Sequence, residues 1–188
     1  MSPMAELLLF GAARAELVET VIRPHLAQGH VVVADRYADS TIAYQHYGRQ
    51  LPSETVTAVV HLATDGLTPD LTFLLDLRKA RHLLAPSARR RSRPGQSQLA
   101  LDQDARRPEL DDGGQMRFER ESAKFHERVR AGYRAMALKE PARWRVLDAT
   151  LPIEDIHVLV HSHLQQSLSA VPNGATPTLL DLTNLPNL

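Results

Sequence analysis

The run HVVVADRYADSTIAYQ, His30 to Gln45, decides how this chain folds. Val31-Val32-Val33-Ala34 is short, continuous and β-branched, which is how a strand buried on both faces of a parallel sheet reads. Asp35 and Arg36 leave the carboxyl end of that strand, and the pattern turns helical from Ser40 to about Tyr47. Two further strands repeat the design: Leu71–Leu75 followed by Asp76, and Trp144–Leu147 followed by Asp148. Strands alternating with helices specify an α/β fold with parallel strands, whose ligands gather beyond the strands' carboxyl ends. Three strands are few for a sheet covered on both faces, so the sheet reads as incomplete, with an exposed edge and an uncovered apolar face.

Outward from this run, Ser2 and Pro3 open a helix as N-cap and first-turn residue, and Leu7, Leu8, Val18, Val21 and Ile22 give it an apolar face. Pro24 kinks this helix or starts a separate last turn, and Gln28-Gly29 ends it. Further helices are expected at Ser53–Thr64, from Leu77 toward Ala85, from about Gln115 to Leu138, and from Pro152 to Leu168. Residues 1–168 read as one domain. Residues 86–114, rich in Arg, Ser, Gln, Pro and Gly, read as a mobile insertion. Residues 169–188 read as a flexible tail.

Composition narrows the function. The 188 residues contain no cysteine, which excludes disulfides, thiolate metal sites and a cysteine nucleophile. Formal net charge is zero, which speaks against a general nucleic-acid binder. No apolar stretch is long enough to span a bilayer and no secretory leader is evident, so the expected setting is cytoplasmic. Seven cations fall between Arg78 and Arg93 with no acid among them, and only three of the 22 basic residues are lysines. Arginine suits bidentate phosphate contacts, although codon usage accounts for such a bias equally well.

Two constellations carry chemistry. In the helix after Arg36, Thr41, Tyr44 and Gln45 share a face, so a hydroxyl, a phenol and an amide can address one ligand. Arg36 stands where this fold class places anions. The alternative is a strand-end salt bridge beside a polar, capped helix. In ELLLFGAAR, Phe10 and Arg14 lie four apart, placing a ring that can stack on a base one turn from a cation that can hold a phosphate. The alternative there is a core phenylalanine with a solvated arginine.

Together these segments resemble the bacterial thymidylate kinases. AELLLFGAARAELVETVIRPHLAQGHVVVADRYADSTIAYQ is similar to the central part of that family, and ATDGLTPDLTFLLDL, FERESAKFHERVRAGYRAMALKEPARW and RVLDATLPIEDI match in the same order. The resemblance implies a P-loop-kinase-like three-layer sandwich and transfer of the γ-phosphoryl group of ATP to thymidine monophosphate (dTMP), with Mg²⁺. By position it makes Phe10 the ring stacking on thymine and Arg14 and Arg36 the arginines on the acceptor phosphate. Thr41 becomes the reader of the thymine edge, and Tyr44 and Gln45 the sugar- and base-side contacts. Asp35 becomes the acid beside the metal and the attacking oxygen, and Ala149 and Thr150 lie near the adenine edge. The stretch from Arg78 to Arg120 takes the place of the family's lid, with Arg89, Arg90, Arg91, Arg93 and Arg117 as candidates for an arginine on the transferring phosphate. A homodimer is also implied.

One departure stands out. The family's GxxxxGK followed by Ser or Thr, whose backbone amides cradle phosphates and whose lysine reaches them, is absent. No Gly-Lys pair occurs anywhere in the chain, since the three lysines follow Arg78, Ala123 and Leu138. The expectation is a family fold without its N-terminal strand, P-loop and first helix, and a dTMP kinase impaired in turnover. A non-catalytic nucleotide-binding or partner subunit is the rival, and a nucleic-acid-binding protein a remoter one.

Overall fold

The computed structural model describes residues 1–77, 118, 121–169 and 179–181, the last three by backbone alone. The insertion expected at 86–114, the helix expected beyond Leu77, and Arg117 lie outside the described residues.

Helix α1 spans Pro3–Leu17, and the Ser2 Oγ accepts the Ala5 N–H at 3.2 Å, so the N-cap is as the sequence specifies. Val18–Ile22 then widens into a π turn, in which the Arg23 N–H donates back to the Val18 carbonyl. Pro24 explains the widening: it has no N–H and its ring crowds the carbonyl four residues back. A short α2, Arg23–Ala27, closes the segment, and Gly29 turns it with φ 79° into β1, Val31–Val33.

After β1 come α3, Ala38–Thr41, and a second π segment, Ile42–Gly48. The sequence pattern foretold a single regular helix here. A π turn adds a residue to each turn, so the spacing that places residues 41, 44 and 45 on one α-helical face does not hold. Next are α4, Ser53–Thr64, and β2, Thr72–Asp76; then α5, Ala123–Lys139, β3, Trp144–Asp148, and α6, Ile153–Ser169. Helix α5 starts later than its apolar period suggests because the Ser122 Oγ caps it, accepting the Phe125 N–H.

The strands are parallel. β2 and β3 pair in full register from Thr72 beside Trp144 to Asp76 beside Asp148, so two acids stand together at the carboxyl end. β1 pairs with β4, Leu179–Asp181, in a second two-stranded sheet. Three residues of the stretch expected as a tail, 179–181, thus form a strand. The edge of β1 offers unpaired N–H and C=O groups, and a returning extended segment satisfies them.

The core lies between α5, the second π segment and β3, and comprises Ala43, Phe118, Phe125, Val129, Met136, Ala137 and Trp144. Two glycines allow this close contact. A Cβ on Gly132 would meet the Tyr47 ring at 2.5 Å, and one on Gly48 would meet the Phe125 ring at 2.6 Å. Arg128 reinforces the seam by donating to the Gly48 carbonyl at 2.7 Å and to the Tyr47 carbonyl at 3.2 Å. Leu75 and Val146 on the β2–β3 sheet are 54% and 51% exposed; the register sets Leu75 beside Leu147 and Val146 beside Leu74, so the two exposed side chains lie on opposite faces. None of the described helices is long and apolar enough to cross a membrane.

Candidate functional site

Phe10, Arg14, Arg36, Thr41 and Tyr44 come from three different segments, and the tertiary contacts bring them together. The Arg14 Nη1 donates to the Thr41 Oγ1 at 2.5 Å, across 27 residues of chain. Its guanidinium also lies 5.7 Å over the Tyr37 ring. Arg36 stacks 4.4 Å over the Tyr44 ring and 5.8 Å over Phe118. Phe118 in turn lies parallel to Phe10 at 6.1 Å and edge-on to Tyr44 at 4.7 Å. The result is an aromatic floor edged by two arginines.

The floor is held from beneath. Tyr133 on α5 donates its hydroxyl to the Ser40 Oγ at 2.8 Å and meets Tyr44 edge-on at 6.4 Å. Burial pushes the Tyr133 phenol above its ordinary pKa, so it stays a neutral donor. Asp39, in the first turn of α3, is 7% exposed and takes both forks of Arg143, at 2.7 and 2.8 Å. Arg143 also reaches the Thr72 Oγ1 at 2.9 Å, which ties α3 to the start of β2.

The electrostatics favour an anion. Burial holds the Arg14 guanidinium below the usual arginine range, and the positive charge of Arg36 pushes the same way, against Tyr37 and Asp39. A half-buried cation beside a second, exposed one is relieved when a negative group enters. Arg36 moreover takes φ 65°, in the left-handed region, which costs a non-glycine residue roughly 1–2 kcal/mol. Backbone strain of this kind clusters at functional positions, which makes Arg36 a candidate. Phe10 is 39% exposed, so it is not the core phenylalanine that its helix position alone would allow.

Other expected site residues fall differently. Gln45 does not join this cluster: it is 1% exposed, and its Nε2 donates to the Glu6 Oε1 at 2.9 Å. The π segment turns it inward, whereas an α-helical spacing keeps it beside Thr41. Asp35 is exposed at the end of β1, and no group of three or more metal-ligating side chains gathers among the described residues. The Thr150 N–H and Oγ1 both bond Asp148 Oδ1, at 2.9 and 2.7 Å, and the Ala149 N–H bonds the Asp76 carbonyl. These two residues therefore form a strand-end turn. Arg117 lies outside the described residues.

Asp76 is engaged as well. It accepts Arg130 at 2.5 and 2.9 Å and Arg134 at 2.9 Å, and these contacts hold its carboxyl below the usual range. Sequence reasoning missed Tyr37, Phe118, Arg49 and Asp39 as site-building residues. Tyr133 was missed as well. Its signal is a polar-tipped aromatic beside Gly132 on an otherwise apolar stripe.

Comparison with known proteins bears on the family of the chain. The family model described as thymidylate kinase matches residues 1–160. A thymidylate kinase of Roseiflexus castenholzii is 41% identical over 175 residues, covering 92% of this chain and 71% of the relative. That of Desulfovibrio desulfuricans is 42% identical over 168 residues, covering 89% and 70%. Among solved structures, thymidylate kinase from Ehrlichia chaffeensis superposes with a TM-score of 0.59 at 28% identity, covering 88% of this chain and 66% of that one. The chain thus spans roughly two thirds to seven tenths of the length of these relatives.

Proposed function

The chain belongs to the thymidylate kinase family, and from that premise we propose that its aromatic and arginine cluster is the binding site of dTMP as phosphoryl acceptor. The family reaction passes the γ-phosphoryl group of ATP to dTMP, giving dTDP. The observation that carries the reading is the convergence of Phe10, Arg14, Arg36, Thr41 and Tyr44 in one place. Phe10 offers a half-exposed ring for thymine, and the Thr41 hydroxyl, only 3% exposed, accepts from Arg14 and so holds that cation in place. Arg14 and Arg36 supply the charge that a phosphate dianion needs, and Arg36 can leave its stack on Tyr44 to meet it. Tyr44 then has its ring free for the deoxyribose. Phosphoryl transfer asks for alignment and charge neutralisation rather than a covalent nucleophile, and this set of residues supplies both on the acceptor side.

Asp35 is an exposed hard-oxygen donor at the carboxyl end of β1, which suits Mg²⁺ held through one carboxylate plus substrate phosphates. Mg²⁺ when bound would neutralise charge on the transferring group. The described residues do not fit the triphosphate of ATP in the same way. No Gly-Lys pair exists in the sequence, and Thr150 is spent on Asp148. Turnover by these 188 residues alone is therefore proposed to be impaired, with monophosphate binding retained. A second reading is a nucleotide-binding or partner subunit that keeps the dTMP pocket. Homodimerisation is part of the proposal by family, and sedimentation velocity tests it.

Calorimetric titration of the full chain with dTMP tests the site. Phe10→Ala and Arg36→Ala should each weaken binding by about tenfold or more, the scale of one lost stacking or charged contact of ~1.4 kcal/mol. Unchanged affinity in both variants refutes the site. Turnover of ATP and dTMP in the same preparation separates the kinase from the binding subunit.

A further inference from the structure

Arg49 sits just after the second π segment and touches no residue that the dTMP reading assigns to ligand. It is nevertheless closely held behind the floor, by two acids and two aromatic rings. Its Nε and Nη2 meet Glu6 Oε1 and Oε2 at 3.1 and 3.3 Å, and its Nη1 meets Glu121 Oε1 at 2.5 Å. The guanidinium face lies 5.0 Å over Phe125 and 5.7 Å over Phe118. Glu6 is 1% exposed on α1, one turn before Phe10, and the Gln45 amide adds a third hydrogen bond to it. A carboxylate so buried must be both paired and hydrogen-bonded, so this constellation has one low-energy arrangement.

Phe118 is the link to the ligand side. Its ring carries Arg49 on one side at 5.7 Å and Arg36 at 5.8 Å, and it lies parallel to Phe10. Fixing Arg49 therefore fixes Phe118, and fixing Phe118 sets the resting place of Arg36. The fork geometry matters, because three nitrogens must reach two acids while the flat face remains on two rings. A lysine carries the same charge but has neither the fork nor the face.

Resting on the dTMP-site reading, we propose that Arg49 is a positioning residue for phosphate recognition, acting through Phe118 on Arg36. It joins the α1 wall of the site to the Phe118–Glu121 segment and holds Arg36 where an acceptor phosphate enters. Discrimination between dTMP and thymidine, which lacks the phosphate, is the property it controls.

The test is titration of the full chain with dTMP and separately with thymidine, after circular dichroism has confirmed folding at the working temperature. Arg49→Lys keeps the charge, while the Glu6→Gln, Arg49→Met pair removes both buried charges together and so leaves neither unpaired. The expected result for both variants is a loss of about tenfold in dTMP affinity, equivalent to ~1.4 kcal/mol, with thymidine affinity changed less than about twofold. A purely structural Arg49 would lower the melting temperature but leave the dTMP-to-thymidine ratio of the folded protein unchanged, and that outcome overturns the inference. Equal weakening of both ligands overturns it too, since the effect then lies on the base pocket. Failure of the unsubstituted chain to bind dTMP overturns the site reading itself, and this inference with it.

Discussion

Gly132→Ala tests whether the seam between α5 and the second π segment is as close as the structure has it. In an unconstrained helix this change is favourable by about 1 kcal/mol, because glycine is the poorer helix former. Here the new Cβ would lie 2.5 Å from the Tyr47 Cγ and Cδ2 and 2.9 Å from its Cβ. Carbon atoms pack best at about 3.5–4.0 Å, so three contacts are each too short by roughly 1 Å. The Tyr47 Cβ cannot swing away, being fixed to a backbone whose carbonyls at residues 47 and 48 accept from Arg128. Overpacking of this kind costs about 1–3 kcal/mol, and contacts so near the backbone belong at or above the top of that range. After the helix-propensity gain, a net loss of about 2 kcal/mol remains. For a chain of this size that lowers the melting temperature by roughly 4–8 °C. Thermal melts followed by circular dichroism measure it. The Gly132→Ala, Tyr47→Ala pair supplies the control, since removing the ring leaves only the 2.9 Å contact with the Cβ and the glycine substitution should cost less in that background than in the parent. A single variant that melts at or above the parent, or a pair whose effects simply add, would refute the close contact.

Two further outcomes follow from single side chains. Asp76→Asn should cost about 1.5–3 kcal/mol at pH 7, the worth of hydrogen bonds to a charged group, because it removes the carboxylate that accepts Arg130 and Arg134. The folded-state pKa of Asp76 lies below its unfolded value, so its contribution is present above pH ~4 and fades as pH falls through the lowered value. Urea melts should therefore show the gap between parent and variant narrowing below pH ~4, and a gap constant down to acid pH would count against the pairing. Arg36→Gly and Arg36→Ala should lose dTMP binding alike, but the glycine variant should melt about 2–4 °C higher, since only glycine relieves the left-handed backbone at φ 65°. Equal melting temperatures would show that the position carries no strain.

Much of this protein is legible in the sequence alone, for local physical reasons. The strands at Val31–Val33, Thr72–Asp76 and Trp144–Asp148 announce themselves by β-branched or apolar runs, each closed by an acid at or soon after its end. Ser2 and Pro3 announce the start of α1, and the four-residue spacing of Phe10 and Arg14 places a ring and a cation on one helical face. These signals work because burial, capping and helical period act over a few residues. Resemblance in several ordered blocks then identifies the family.

Tertiary contact decided the rest. Whether Phe10 is core or site depends on what covers it, and only packing shows a half-exposed ring beside Phe118. Gln45 went inward because a π turn, invisible to a 3.6-residue period, rotated it onto Glu6. The strand at Leu179–Asp181 pairs with a segment nearly 150 residues away, and no local pattern reports such a partner. Arg49 reads in the sequence as one arginine among many, and its work is set by two acids 43 and 72 residues distant. Sequence determines which groups can bear charge, stack or turn, because those properties belong to single residues and their neighbours. Which of them meet, and which are dry when they do, is decided by packing across the whole chain.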